Sequence, residues 1–268
     1  MRNLIIFAAS LLCVVTYCRA NDSIDDSIDT VQLVKPQQTA VIILAHPDDE
    51  NWLSGSLALW SEQGSKLQVI YASSGGAGKD RSGQNLRGIQ LATQREKESI
   101  NALKVLGVSL PPIFLRFDDK ELETFQQKLT NKILAVCHQL KPQHLISFDS
   151  KGITGHKDHQ FVHQLTNRLW RDKPSCGVAS GVILSNFVVS KSRASIAAQI
   201  SANSQYKKII RHSLSDDQIS LSVDISQQAA KRIAAFNVYK TQFSPELQSL
   251  WARFVQHSAA EDFVIIDY

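Results

Sequence analysis

Two short stretches of this 268-residue chain carry side chains able to hold a cation and move a proton. The first, His46-Pro47-Asp48-Asp49-Glu50, follows directly on the apolar run Val41 to Ala45. The second, much later, is His156-Lys157-Asp158-His159. Neighbouring carboxylates at the mouth of a buried strand repel one another, so a positive partner is expected there. Zinc favours imidazole and carboxylate donors, and a catalytic zinc keeps three protein ligands and one open position. His46, Asp49 and His159 supply such a set and leave Asp48 and His156 for proton work. Ferrous iron tolerates similar donors, so the expected cofactor is one divalent ion, Zn2+ or Fe2+. Taken singly, the acids also read as helix-start residues and the histidines as surface residues. That reading leaves two such clusters at two strand ends unexplained.

For the clusters to meet, their strands must be neighbours. The pattern from Thr39 alternates strand and helix: "AVIILAH", a helix over Trp52 to Gly64, "KLQVIYAS", a helix from Gln90 to Leu106, "PPIFLRF", a helix from Glu121 to Leu140, and "HLISFD". Such alternation predicts an α/β fold: three layers, α/β/α, with a Rossmann-like, mostly parallel sheet. Ligands in such sheets bind beyond the carboxyl ends of the strands, where the strand order reverses. His46 and the group around His156 both lie at such ends. Farther on, "GVASGVILSNF" and "ISLSVDIS" read as strands, Gln227 to Gln242 as a helix, and "PELQSLWARFVQH" as a last helix. The loop "SSGGAGKDRSG" lacks the pattern of a nucleotide cradle and reads as a flexible pocket wall. No G-x-S-x-G turn supports serine catalysis.

"MRNLIIFAASLLCVVTYCRA" has the charged start, apolar centre and small-residue end of a secretory signal peptide. Its apolar stretch, Leu4 to Tyr17, is shorter than the roughly 18 to 20 residues of a spanning helix. The expected organisation is a signal peptide over 1–20, a flexible leader over 21–38 and a single domain over 39–268. The product would be exported, either periplasmic or secreted, with no stable membrane span. Loss of Arg2 and Arg19 with the signal takes the formal charge from +4 to +2, which argues against a nucleic-acid partner. Cys137 and Cys176 would remain, and could form one disulfide in an oxidising compartment.

AHPDDE followed by GHKDH resembles the LmbE-like, or PIG-L, family of zinc-dependent N-deacetylases, and the pairing is more specific than either half. The likeness runs from about Val41 to Gln242. "REKESINALKVLGV" resembles the family's Arg-x-x-Glu helix, giving Arg95 and Glu98. "FDSKGITGHKDH" is similar to the branch acting on N-acetylglucosaminyl-phosphatidylinositol. The resemblance implies His46, Asp49 and His159 as zinc ligands and Asp48 as the general base. His156 would stabilise the oxyanion or protonate the departing amine, with Asp158 orienting or polarising it. Arg95 and Asp119 would contact sugar hydroxyls. Two departures stand out: Asp118 and Lys120 replace the family's usual Pro and Gly around Asp119, and Tyr239-Lys240-Thr241-Gln242 occupies the place of a His-x-Ser-Gln element.

The expected activity is removal of the acetyl group from an N-acetylated amino-sugar substrate, giving acetate and a free amine. The rivals are a zinc amidase acting on another N-acyl group and a metal-bearing carbohydrate-binding protein without turnover. An intact Asp48 argues against the second rival, because binding alone requires no base.

Overall fold

The strand β1 (Thr39–Leu44) is apolar along nearly its whole length, and Ala40 to Leu44 are fully buried. A strand covered on both faces reads this way, as expected inside a parallel sheet. The computed structural model describes residues 32–172 and 181–266; the signal segment, most of the leader and Cys176 lie outside them. The remaining strands are β2 (Lys66–Ser73), β3 (Ile113–Phe117), β4 (His144–Phe148), β5 (Ile183–Val188), β6 (Leu221–Asp224) and β7 (Ala260–Ile266). Their order across the sheet is β3-β2-β1-β4-β5-β7-β6. β1 to β5 are mutually parallel, whereas β7 runs antiparallel to both β5 and β6. Helices cover both faces, so the mostly parallel α/β/α expectation holds.

β1 pairs with β2 on one side and with β4 on the other, with Ile42 opposite both Val69 and Ile146. The chain builds β1, β2 and β3 outward, then returns to lay β4 beside β1. That reversal opens a crevice at the carboxyl ends of β1 and β4, where the two sequence clusters sit.

A 3-10 turn over Asp49–Leu53 leads into α1 (Ser54–Glu62); α2 (Gly88–Val105) and α3 (Gln126–Leu140) follow β2 and β3. After β4 come a one-turn segment α4 (Gly152–Gly155) and α5 (Lys157–Arg171), which buries Phe161, Val162, Leu165 and Leu169. The distal helices are α6 (Lys191–Ile200), α7 (Ala229–Phe236) and α8 (Pro245–His257). Ser244 starts α8 by accepting the Leu247 N–H, with Pro245 preorganising the first turn.

Three expectations need correction. The helix read over Gln227 to Gln242 ends at Phe236, because the side chains of Tyr239 and Thr241 are drawn to buried carboxylates described below. Two elements, α5 and β7, are present that the sequence pattern did not predict. β7 carries Glu261 and Asp262, both buried, where a strand signal would be apolar. Glu261 accepts the N–H groups of Gly55 and Ser56 at the start of α1, and Asp262 pairs with Arg193. Finally, Leu33 and Val34 are buried in the main core, so packing begins ahead of Thr39. Among the described residues no helix is long and apolar enough to cross a membrane.

Candidate active site

Asp49 folds back onto the end of β1. Its Oδ2 accepts the His46 backbone N–H at 2.7 Å and lies 3.6 Å from Nδ1 of the same residue's ring. Its other oxygen, Oδ1, is 3.0 Å from His159 Nε2. His159 is braced from behind, with Nδ1 3.1 Å from the Gly152 carbonyl and its ring stacked 4.2 Å from that of Phe148. The Gly152 carbonyl can only accept, so Nδ1 is the donor of that contact. Gly152 has φ +62°, and a Cβ there would stand 2.4 Å from the His159 Cβ. Only glycine allows this approach.

On its other side His46 presents Nε2 to two acids, Asp158 at 3.0 Å and Asp119 at 3.1 Å. Burial lowers the His46 pKa, but the hydrogen bonds to Asp119 and Asp158 and the charge of Asp49 outweigh it and push the ring up to about 10. Burial works against ionised Asp49 too, yet His159 and His46 hold its carboxyl down to about 2. Several carboxylates thus converge on imidazoles, and their negative potential favours positive charge in this buried place. A divalent cation fits that donor chemistry. Asp49 lies between His46 and His159. Two sets of ligand atoms gather within 4.8 Å of one another, those of His46, His156 and His159 and those of His46, Asp119 and Asp158.

Asp48 has a different environment. Its backbone is left-handed, φ +100°, and its Oδ2 accepts Arg95 Nη2 at 3.0 Å. Burial pushes its pKa up to about 6 against the pull of Arg95. Arg95 is itself fixed by donating from Nη1 to the Gly75 carbonyl at 2.6 Å. A Cβ on Gly75, whose φ is +70°, would come within 1.9 Å of that nitrogen. The His156 ring accepts the Asp158 backbone N–H at Nδ1, 3.2 Å away. Burial and the neighbouring His46 and His159 hold its pKa below the usual value. A neutral ring accepting at Nδ1 carries its hydrogen on Nε2.

Seven of the eight expected site residues line one cavity of about 320 Å³: His46, Asp48, Asp49, Arg95, Asp119, His156 and His159. Asp158 stands behind His46. Some contacts differ from those the resemblance implied. Asp158 directs its carboxylate to His46 and the Lys120 N–H, while its backbone amide reaches His156. Asp119 divides its oxygens between His46 and the Ala77 N–H. Arg95 is engaged by Asp48. A buried charged group needs such partners, which competes with an outward role toward sugar hydroxyls.

Glu50, which the sequence offers only as one more acid of the first cluster, is fully buried, and its carboxylate accepts the Tyr71 hydroxyl at 2.8 Å, the Tyr239 hydroxyl and the Asp48 N–H at 3.1 Å. Burial pushes its pKa up to about 7, opposed by the two tyrosine hydrogen bonds. Nearby, Glu98 accepts the Thr241 backbone N–H at 2.9 Å and the Thr241 hydroxyl, tying the segment after α7 to α2. The signal available was the departure at Tyr239 to Gln242, which marks where the chain builds this support differently.

The family model described as PIG-L, GlcNAc-PI de-N-acetylase, matches residues 41–170. The 1D-myo-inositol 2-acetamido-2-deoxy-alpha-D-glucopyranoside deacetylase of Mycobacterium leprae (strain Br4923) is 27% identical over 164 residues, covering 53% of this chain and 52% of that protein. The chain therefore spans about half the length of that curated relative. Among solved structures, N,N'-diacetylchitobiose deacetylase from Pyrococcus horikoshii is similar with a TM-score of 0.65 at 17% identity, over 85% of this chain and 84% of that one. The 4-carboxy-2-hydroxymuconate hydratase from Pseudomonas putida gives 0.62 at 17% identity, over 86% and 97%. Likeness at this identity shows the fold, which here accommodates a hydratase as well as a deacetylase. The chemistry must therefore be argued from side chains.

Proposed function

From the match of residues 41–170 to the PIG-L family model and the 27% identical deacetylase relative, we propose that this chain is a PIG-L, or LmbE-like, family member that works as an exported, zinc-dependent hydrolase. It removes the acetyl group from an N-acetylglucosamine-containing substrate and leaves acetate and a free amine. The observation that carries this reading is the division between two adjacent acids. Asp49, with its pKa lowered to about 2, lies between His46 and His159, whereas Asp48, raised to about 6, is held by Arg95 at the cavity wall. A carboxylate tuned toward neutrality is suited to general base work, and a strongly ionised one to cation binding.

His46, Asp49 and His159 would hold the ion. When bound, a divalent ion supplies Lewis acidity toward the amide carbonyl and lowers the pKa of water. Asp48 takes the proton of the attacking water and returns it to the amine nitrogen as the C–N bond breaks. Arg95 fixes the direction of Asp48. His156 points its Nε2 hydrogen at the developing oxyanion, the place where a preorganised donor has most effect. Asp158 and Asp119 orient His46.

The test is metal content and acetate release, measured together on full-length protein purified without oxygen. Bound or added divalent metal with acetate release from an N-acetylglucosaminide is the expected result. Absence of bound metal and of any stimulation by added zinc or ferrous ion removes the reading. Recovery of a mature form beginning near Asn21 outside the cytoplasm checks the export half.

A further inference from the structure

Beyond its reacting groups, the cavity is walled mainly by hydrocarbon. Trp52 stands in the same 3-10 turn as Asp49, and its ring meets Trp251 edge-on at 6.2 Å. Trp251 stacks on Phe236 at 4.6 Å, and Phe236 stacks on Phe243 at 3.8 Å. Ile200 from α6 and Leu250 from α8 line the same space. The apolar wall therefore begins within one turn of the candidate metal ligand and continues over the distal helices. An acetyl methyl would leave most of it facing water, which is unfavourable for apolar surface. The cavity, at about 320 Å³, lies within the range of small-ligand pockets.

An amide presents two substituents to such a centre. The sugar brings hydroxyls that need polar partners, whereas the acyl chain is bonded directly to the reacting carbonyl and can be hydrocarbon throughout. The geometry points to the second as the occupant: the favoured substrate is an N-acyl amino sugar whose acyl group is a chain of several carbons seated between Trp52, Phe236, Trp251 and Leu250. This rests on the amide-hydrolase reading of the same centre and extends it from the acetyl group to longer acyl groups, with acetyl kept as the slower substrate. Water adds to the amide carbonyl and the C–N bond breaks. The amine leaves with the proton carried by Asp48, and the acyl group leaves as a longer carboxylate. No oxidant or second substrate is required.

The test compares N-acetyl-, N-butanoyl-, N-hexanoyl- and N-octanoylglucosamine on zinc-loaded, full-length protein, with methyl and octyl N-acetylglucosaminides as a parallel arm. Transfer of a methylene from water predicts kcat/KM rising about fourfold per methylene until the pocket fills. The octyl glycoside should show no comparable gain. A second readout uses chelator-treated protein: N-octanoylglucosamine should perturb tryptophan fluorescence at much lower concentration than N-acetylglucosamine, because Trp52 and Trp251 form the wall. Ile200 and Leu250 are only half-buried, so Ile200→Asn and Leu250→Asn should fold. Each should reduce the octanoyl-to-acetyl ratio of kcat/KM severalfold. Rates that are flat or falling along the acyl series overturn the proposal, and so does a gain confined to the octyl glycoside, which assigns the pocket to the aglycone. If no amide is hydrolysed by metal-loaded protein, the hydrolase reading fails instead, and the fluorescence arm alone decides whether the pocket takes the chain.

Discussion

Substituting Tyr239 with Phe removes one oxygen from a fully buried network and leaves its ring in place. Glu50 then keeps the Tyr71 hydroxyl and the Asp48 N–H but loses its third donor. A hydrogen bond to a charged group contributes about 1.5 to 3 kcal/mol, and one to a neutral group about 1 kcal/mol. The cost should therefore depend on whether Glu50 is ionised. Its native pKa, about 7, lies above the ordinary value of 4.5, so the native state binds the proton more tightly than the unfolded chain. Stability from this group is fully present below about 4.5 and is lost as pH rises through about 7, by about 3 kcal/mol. Losing the tyrosine donor raises the native pKa further. Tyr239→Phe should accordingly destabilise the protein by about 2 to 3 kcal/mol at pH 8 but only about 1 kcal/mol at pH 5. Urea unfolding of chelator-treated protein at the two pH values measures both. Identical midpoints for variant and parent at pH 8, or an equal loss at both pH values, would refute the network argument and reduce Tyr239 to a packing residue.

Asp49→Ala should strip bound metal, whereas Asp48→Asn should retain it and lose activity by roughly 10²- to 10⁴-fold, the range for a positioned acid or base; metal analysis beside acetate release reads both, and the reverse pattern swaps the roles. His156→Ala should keep metal stoichiometry near that of the parent and lower kcat by a similar factor, while metal loss would make His156 a ligand. Gly75→Ala should displace the Arg95 guanidinium, because the new Cβ would lie 1.9 Å from Nη1 at a φ of +70°. It should cost at least 1 to 3 kcal/mol of stability and lower kcat more than it raises KM, and unchanged kcat would separate Arg95 from Asp48 function.

The centre of the sheet was legible because β1, β2 and β4 are buried on both faces and announce themselves as apolar runs. The meeting of His46 with His159 followed once β1 and β4 were taken as neighbours, and they are. What stayed hidden depends on contacts distant in sequence. Glu50 reads as a third solvent-facing acid until Tyr239 arrives from far along the chain. The helix expected through Gln242 stops early because Tyr239 and Thr241 bond to carboxylates, and local helix propensity cannot register that. The apolar cavity was hidden differently. Trp52, Ile200, Phe236 and Trp251 come from separate segments, each of which alone reads as ordinary helix packing.

Two neighbouring acids acquire different jobs through one backbone angle. At Asp48 φ is +100°, a region that costs of order 1 to 3 kcal/mol for a residue with a side chain. The turn sends the Asp48 carboxylate to Arg95 and lets Asp49 fold back onto the His46 N–H. With ordinary right-handed backbone at position 48, that divergence would be lost. Something must hold the strained residue, and the Glu50 carboxylate accepts the Asp48 N–H while anchored by Tyr71 and Tyr239. Glu50 therefore supports the site without touching substrate. Asp48→Asn is the informative substitution because asparagine tolerates positive φ better than most residues with side chains, so the turn survives while the proton acceptor is removed. Alanine at 48 would combine loss of the base with loss of the geometry that places Asp49.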